Sequence, residues 1–151
     1  DAYRDDVAAN LAVAERWVTE HPDTEFDFFL PPYSILFWDK VIREGRTEAV
    51  FAAIRQAGQT LLQYDNVKFY GYLMDPEIVT NLDNYCDYIH HSGGVCREIL
   101  AMLQREEGRL TEENLEETLA NWREFVVHYD YDQFWDERFW IQWNAEHAAA
   151  P

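Results

Sequence analysis

The sequence predicts an α/β fold in which a parallel sheet is incomplete within this chain. Two short aromatic-rich apolar runs alternate with longer segments of helical periodicity, and 48% of the 151 residues are hydrophobic. Strands separated by helices pair in parallel through right-handed crossovers. Parallel sheets ordinarily contain more than two strands and are covered on both faces. We therefore expect a helix-rich, three-layer α/β/α arrangement whose first strands lie outside this chain.

The helices are predicted from the spacing of apolar residues. Val7, Leu11, Ala14 and Val18 recur at intervals that place their side chains on one face of a helix, which predicts a helix over residues 2–20. The same periodicity predicts further helices over residues 34–44, 47–64 and 94–107, and a last long helix that begins at Thr111.

The two predicted strands cover residues 26–30 and 67–73, where aromatic residues suit a pleated surface. The first strand ends before Pro31 and Pro32, because proline cannot donate to a strand ladder. Residues 74–94 show no clear period and are rich in Asp, Asn, Tyr and His. Ligands of parallel sheets bind beyond the carboxyl ends of the strands, so this stretch and the segment that follows the first strand are the expected site.

The charge of the chain excludes some classes of partner. The formal net charge is -17, and such a field repels the phosphates of nucleic acids. No apolar run approaches the roughly 20 residues that span a bilayer, and no signal peptide is visible. The two cysteines, Cys86 and Cys96, are compatible with a disulfide or with two free thiols, so they leave the redox compartment open.

Asp87 and His90 are the residues of this stretch that most clearly suggest catalytic chemistry. An aspartate three positions before a histidine reaches back to accept the Nδ1 proton of the imidazole. That bond fixes the tautomer and leaves Nε2 able to take a proton from a nucleophile. The spacing alone has low specificity, because Asp-x-x-His is short. Its position in a long loop, after a strand and before a helix, makes it a candidate catalytic pair.

This stretch resembles the last sequence block of the SGNH (GDSL-like) hydrolases, which have an SGNH/flavodoxin-like fold. The resemblance rests on residues 28–34, on residues 81–85 and on Asp87-x-x-His90, and it covers roughly residues 1–129. It implies a bacterial cell-envelope protein in which His90 is the general base and Asp87 orients it. It also implies that the nucleophilic serine lies upstream of this chain, because no Gly-Asp-Ser occurs here.

The resemblance further implies an esterase or O-acyltransferase that acts on small acyl esters or O-acylated carbohydrate, with no cofactor. Its partner would be the missing N-terminal half of the same protein. The aromatic residues 130–151 are not part of the family's minimal pattern, and we expect them to form a tail that packs on the domain. The alternative function is a non-catalytic binding or interaction module that keeps the fold without the chemistry.

Four further side chains, in the segment after the first strand and in the stretch of residues 74–94, allow two interpretations each. Tyr33 either lines a pocket or fills the core, and Ser34 either caps a helix or contacts a ligand. Asn81 and Asn84 either orient a bound sugar or brace the loop. These four are the predicted substrate-binding residues. A metal site is a further alternative, with Asp83, Asp87, His90 and His91 as its ligands, although adjacent histidines rarely point the same way.

Overall fold

The structure is a computed structural model that describes the backbone of residues 2–135 and the side chains of residues 6–135. Its helices and strands follow the predicted order, with one short helix and one short strand added. The elements are α1 (Ala2–Glu20), β1 (Phe26–Phe29), α2 (Ile35–Arg43), α3 (Thr47–Leu61), β2 (Val67–Tyr70), α4 (Pro76–Val79), α5 (Gly93–Arg105), β3 (Arg109–Leu110) and α6 (Leu115–His128).

The sheet is mixed, which corrects the expectation of a purely parallel sheet. Strand β1 pairs in parallel with the central strand β2, and Phe28 lies opposite Phe69. Strand β3 lies on the other side of β2 and runs antiparallel, with Leu110 opposite Phe69. The two-residue strand β3 is too short to produce an alternating pattern, and for this reason the sequence does not predict it.

Both faces of β2 are covered, because successive side chains of a strand point to opposite sides. Phe69 belongs to the larger core, which α1, α2, α3 and α6 build around the fully buried Trp38. Tyr70, the next residue, belongs to a smaller core that it forms with Tyr72 and with Val95 and Ile99 of α5. The chain is therefore a helix-rich α/β structure with apolar packing on each side of its central strand.

Strand β2 and helix α6 differ from their predicted bounds for local reasons. Strand β2 ends at Tyr70, because the chain then turns, and the Met74 N–H donates to the Gly71 oxygen at 2.8 Å. Helix α6 begins at Leu115 instead of Thr111. The Asn114 N–H donates to Thr111 Oγ1 at 3.2 Å, and the Thr111 N–H donates to Asn114 Oδ1 at 2.8 Å. This reciprocal turn satisfies the amides that precede the helix.

The chain after α6 packs back onto α2. Tyr131 is part of the larger core, and the Trp135 indole Nε1–H donates to Asp39 Oδ2 at 2.8 Å. Asp39 is only 4% exposed, and its other oxygen lies 2.7 Å from Arg43 Nε. Charge-assisted bonds of this kind offset the cost of burying a carboxylate. Residues 136–151 of the predicted aromatic tail lie outside the described residues.

Among the described residues, no helix combines the length and the apolar character that crossing a membrane requires.

Candidate functional site

The loop of residues 80–92, hereafter the site loop, is attached to the carboxyl end of β1. Both the backbone N–H and the hydroxyl of Ser34 donate to the Tyr88 oxygen, at 3.0 and 2.9 Å. The Tyr85 hydroxyl donates to the Pro32 oxygen at 2.8 Å. Burial raises the pKa of Tyr85 well above its ordinary value, so this hydroxyl stays a donor. These bonds hold the site loop where the general rule for α/β sheets places ligands.

Backbone bonds close the site loop on itself. The Cys86 N–H donates to the His90 oxygen at 3.0 Å, and Tyr85 forms an antiparallel bridge with His91. The Ser92 N–H donates to the Asn84 oxygen at 2.7 Å, and helix α5 follows at once. Residues 86–90 thus form a tight, closed turn whose base is paired like a short hairpin.

The two asparagines brace the same loop. Asn81 Oδ1 accepts from the Asp83 N–H at 3.2 Å, which caps the turn of residues 82–84. The Asn84 side chain donates to the Ile78 oxygen at 3.1 Å, which ties the site loop to α4. Each amide is therefore engaged with the backbone, as is common for Asn in irregular segments.

Asp87 and His90 are brought together at the tip of the site loop. Asp87 Oδ1 accepts from the backbone N–H of Ile89 at 2.9 Å and from that of His90 at 2.7 Å. Asp87 Oδ2 lies 2.6 Å from His90 Nδ1. The Ile89 amide, the His90 imidazole and the His90 amide, in that order, lower the pKa of Asp87 to about 2. An ionised carboxylate only accepts, so the Nδ1 proton belongs to the imidazole.

The pair faces solvent. The side chain of His90 is 70% exposed and that of Asp87 is 46% exposed. With Nδ1 carrying the proton, Nε2 of a neutral imidazole is an acceptor, and no side chain of the described residues bonds to it. Clefts of about 370, 420 and 250 Å³ lie elsewhere on the surface, and neither Asp87 nor His90 lines any of the three.

No serine of the described residues is placed as a nucleophile for His90. Ser34 is fully buried, and its hydroxyl proton goes to the Tyr88 oxygen. Ser92 Oγ accepts from the Val95 N–H at 3.5 Å, as a helix cap. The predicted helix-capping hydroxyl of Ser34 therefore has a different task, which is to fasten the site loop.

The remaining candidates make separate contacts. Cys86 and Cys96 are both free thiols. The Cys86 thiol donates to the His90 oxygen at 3.3 Å, whereas Cys96 Sγ lies 3.7 Å from Nδ1 of His91. Across residues 6–135, no three His, Cys, Asp or Glu side chains gather as metal ligands would. The metal alternative with Asp83 therefore lacks geometric support.

Two aromatic residues flank the site, and one of them is absent from the sequence predictions. The predicted pocket residue Tyr33 packs against Phe37, with ring centroids 5.0 Å apart. Tyr88 is 40% exposed, and Lys40 Nζ lies 5.0 Å from the centroid of its ring. Lys40 and Tyr88 are far apart in the chain, so no local pattern signals that they meet.

Comparison with known proteins yields two distant relatives. No protein-family model matches the chain, and no solved structure matches it. The relatives are UPF0735 ACT domain-containing proteins of Lacticaseibacillus casei strain BL23 and Lacticaseibacillus paracasei strain ATCC 334. Each is 24% identical over 90 residues, which is 60% of this chain. The matched segment spans 62% of the length of each relative.

These findings correct the sequence interpretation. The resemblance to SGNH hydrolases is wrong, since the relatives carry the name of an ACT domain and not that of a hydrolase. The esterase or acyltransferase function inferred from it is wrong with it. The Asp-x-x-His pattern is misleading for a physical reason. Asp87 is positioned by a local turn, in which its carboxylate accepts hydrogen bonds from the backbone N–H groups of Ile89 and His90. A loop without catalytic function forms such a turn equally well.

Proposed function

We propose that this chain is a non-catalytic binding module whose ligand contacts are made by the site loop, with His90 as the central recognition residue. One observation carries the proposal. An exposed imidazole is held by a carboxylate at 2.6 Å, on a loop that Ser34 and Tyr85 fasten to the carboxyl end of a parallel strand. The names of the relatives support this interpretation, because they name a domain and no reaction.

The geometry suits binding because the recognition group is oriented in advance. Asp87 fixes the ring and the tautomer of His90, so a ligand meets Nε2 as a ready acceptor. The backbone bonds across residues 84–92 restrain the loop before the ligand arrives. A restrained loop loses little conformational entropy on binding, which favours affinity.

The ligand we infer is a neutral molecule with several hydroxyl groups, of the carbohydrate class. A hydroxyl donates to Nε2 of His90, and the exposed ring of Tyr88, two residues earlier, offers an apolar face. Lys40 lies over that ring and supplies further donors. In this proposal the fully buried Ser34 positions the loop and does not touch the ligand.

The test is a two-dimensional amide NMR titration with glucose, galactose, N-acetylglucosamine and N,N'-diacetylchitobiose. We expect at least one sugar to shift amides of residues 80–92, and His90→Ala to abolish those shifts. The matched control is His128→Ala, because His128 is 69% exposed and also lies beside a carboxylate, that of Glu124 at 3.1 Å. Shifts that survive in His90→Ala, or no shifts in the site loop with any of the sugars, would refute the proposal.

We also propose the finer architecture that the sequence suggests. The two apolar cores on opposite sides of β2 support a three-layer α/β/α arrangement, with residues 1–129 as the domain and residues 130–151 as a segment packed on it. The hydrogen bond between Trp135 and Asp39 supports the proposal that the C-terminal segment packs on the domain. Limited proteolysis is the test, and we expect a protected fragment that retains Tyr131 and Trp135.

A further inference from the structure

The outer edge of β1 carries backbone groups that point away from the sheet. The Phe26 N–H donates to the Asn66 oxygen and the Leu30 N–H to the Tyr70 oxygen, each at 2.9 Å. Because backbone groups alternate along a strand, those of Asp27 and Phe29 face the opposite way. No strand of the described residues pairs with β1 on that side. Two N–H donors and two carbonyl acceptors therefore line this edge.

The opposite edge of the sheet, formed by β3, is protected against pairing with a further strand, whereas the edge formed by β1 is less so. Strand β3 is only two residues long, and Glu106 forms ion pairs there with Lys68 at 2.7 Å and with Arg109 at 2.6 Å. Short edge strands and charged side chains are the usual means of blocking further pairing. Strand β1 is longer, with four residues, Phe-Asp-Phe-Phe; it lacks proline and lysine, and Asp27 is its one charged side chain. Phe29 is 41% exposed, and its ring centroid lies 5.8 Å from that of Tyr72.

Charge selects the kind of strand that this edge accepts. Asp27 is exposed in the middle of β1, and Lys68, its neighbour in register, forms its ion pairs with Glu25 and Glu106. A second copy of the chain would bring another Asp27 and another net charge of -17 to the interface. Repulsion between like charges opposes that arrangement, whereas a basic segment is attracted.

We propose that the free edge of β1 docks an extended basic segment of a partner protein by strand addition. Asp27 and Phe29 lie on the same face of the strand, because they are two residues apart. The docked segment therefore carries a lysine or arginine beside Asp27 and an apolar residue beside Phe29, also two residues apart. Main-chain bonds to Asp27 and Phe29 supply affinity, and these two side chains supply selectivity.

The first experiment asks whether the edge is open in the protein alone. Amide hydrogen exchange is measured by NMR on the full chain at two protein concentrations. We expect fast exchange at Asp27 and Phe29 and slow exchange at Phe28, whose N–H belongs to the ladder with β2. Slow exchange at Asp27 and Phe29 at both concentrations would mean that this chain covers its own edge. Slow exchange only at the higher concentration would identify a second copy as the occupant, and either result overturns the proposal.

The second experiment asks whether the edge selects a basic strand. The probes are a capped hexapeptide, Thr-Lys-Thr-Phe-Thr-Thr, and the same peptide with glutamate in place of lysine. We expect the lysine peptide to shift the amides of residues 26–30 and to slow exchange at Phe29. Asp27→Lys should weaken its binding about fivefold, which is the scale of a cross-strand charge pair, and should reverse the preference between the peptides.

The matched control for the second experiment is Asp65→Lys, which makes the same charge change in an exposed turn. Thermal unfolding verifies that both variants fold. Failure of the lysine peptide to bind would overturn the proposal, as would an equal loss of binding in the two variants. Neither result depends on His90, so the proposal for the site loop is tested separately.

Discussion

The hydroxyl and the amide N–H of Ser34 both donate to the carbonyl oxygen of Tyr88, which lies 54 residues later in the chain. Ser34, a buried residue that follows β1, thereby holds the site loop next to the carboxyl end of that strand. The position of His90 relative to the carboxyl end of β1 depends on this contact and on the bond from Tyr85 to Pro32. The site is therefore sensitive to residues that do not reach the surface.

Replacing Ser34 by alanine removes one of the two donors and leaves the backbone bond to Tyr88. We expect the free energy of unfolding to fall by about 1 kcal/mol and the amide of His90 to exchange faster. Urea unfolding and hydrogen exchange measure the two effects. The control is Thr19→Ala, which removes a hydroxyl bond to the Glu15 oxygen on the exposed side of α1 and should cost less than about 0.5 kcal/mol. Equal losses in both variants would contradict the prediction.

The carboxyl of Asp87 should titrate with a pKa of about 2, because the folded chain stabilises its ionised form. The pKa of an unfolded aspartate is higher, so the unfolded state binds the proton first as the pH falls. The stabilisation by Asp87 is complete above about pH 5 and is lost progressively as the pH falls toward 2. Carboxyl carbon NMR measures the midpoint directly, and a midpoint near 3.8 would count against the geometry.

The variant Asp87→Asn separates the contribution of the Asp87 carboxyl to the pH dependence of stability from the contributions of the other acidic groups. Glu106 and Glu107 also have lowered pKa values, through ion pairs with Lys68 and Arg105 respectively, so the wild-type pH profile combines several groups. The difference in urea midpoint between wild type and Asp87→Asn should shrink between pH 4 and pH 2. A difference that is constant with pH would show that Asp87 contributes through its turn alone.

Trp38→Ala should be among the most damaging substitutions. The side chain is fully buried, and its ring lies 5.1 Å from Phe51 and 6.1 Å from Trp122, centroid to centroid. Removing a core tryptophan costs about 3–5 kcal/mol, which is a large part of the stability of a small domain. Trp17→Ala is the control, because Trp17 is 50% exposed, and it should cost far less in the same urea experiment. Similar costs would mean that the core is packed differently.

Gly108 and Gly45 should respond differently to alanine although both have a positive φ, of 71° and 65°. A left-handed conformation costs an alanine about 1–2 kcal/mol at each position. A Cβ at Gly45 meets nothing within 4 Å, whereas a Cβ at Gly108 would lie 3.1 Å from Cε1 of the buried Tyr72. We expect Gly108→Ala to lower the unfolding midpoint more than Gly45→Ala, and equal effects would contradict the close approach.

Much of the secondary structure could be predicted from the chain, because amphipathic spacing reports which side of an element is buried. The stripe that includes Val18 predicts α1 with its observed bounds, and the aromatic runs predict β1 and β2 to within a few residues. The pair of Asp87 and His90 was also predictable, because a separation of three residues suffices for a local turn. What the pair does was not predictable, because the same turn serves loops of many kinds.

The long-range contacts could not be predicted. Strand β3 has two residues, and the hydrogen bond from Trp135 to Asp39 joins positions 96 apart. Neither feature therefore produces a periodic pattern in the sequence. The same holds for Lys40 and Tyr88. Such contacts depend on how the helices pack around the sheet, and packing depends on the whole set of side chains at once.

The sequence by itself determined the local features of this protein: which long segments are helical, where the two parallel strands lie, and that Asp87 holds His90. Interactions over three or four residues are sufficient for these, because the backbone brings such neighbours together whatever the rest of the chain does. The tertiary structure alone decided that Ser34 anchors the site loop, that β3 closes one edge of the sheet and that no strand of residues 2–135 pairs with the outer edge of β1. Those outcomes join residues far apart in the chain, and only the packing of the complete core brings them within bonding distance.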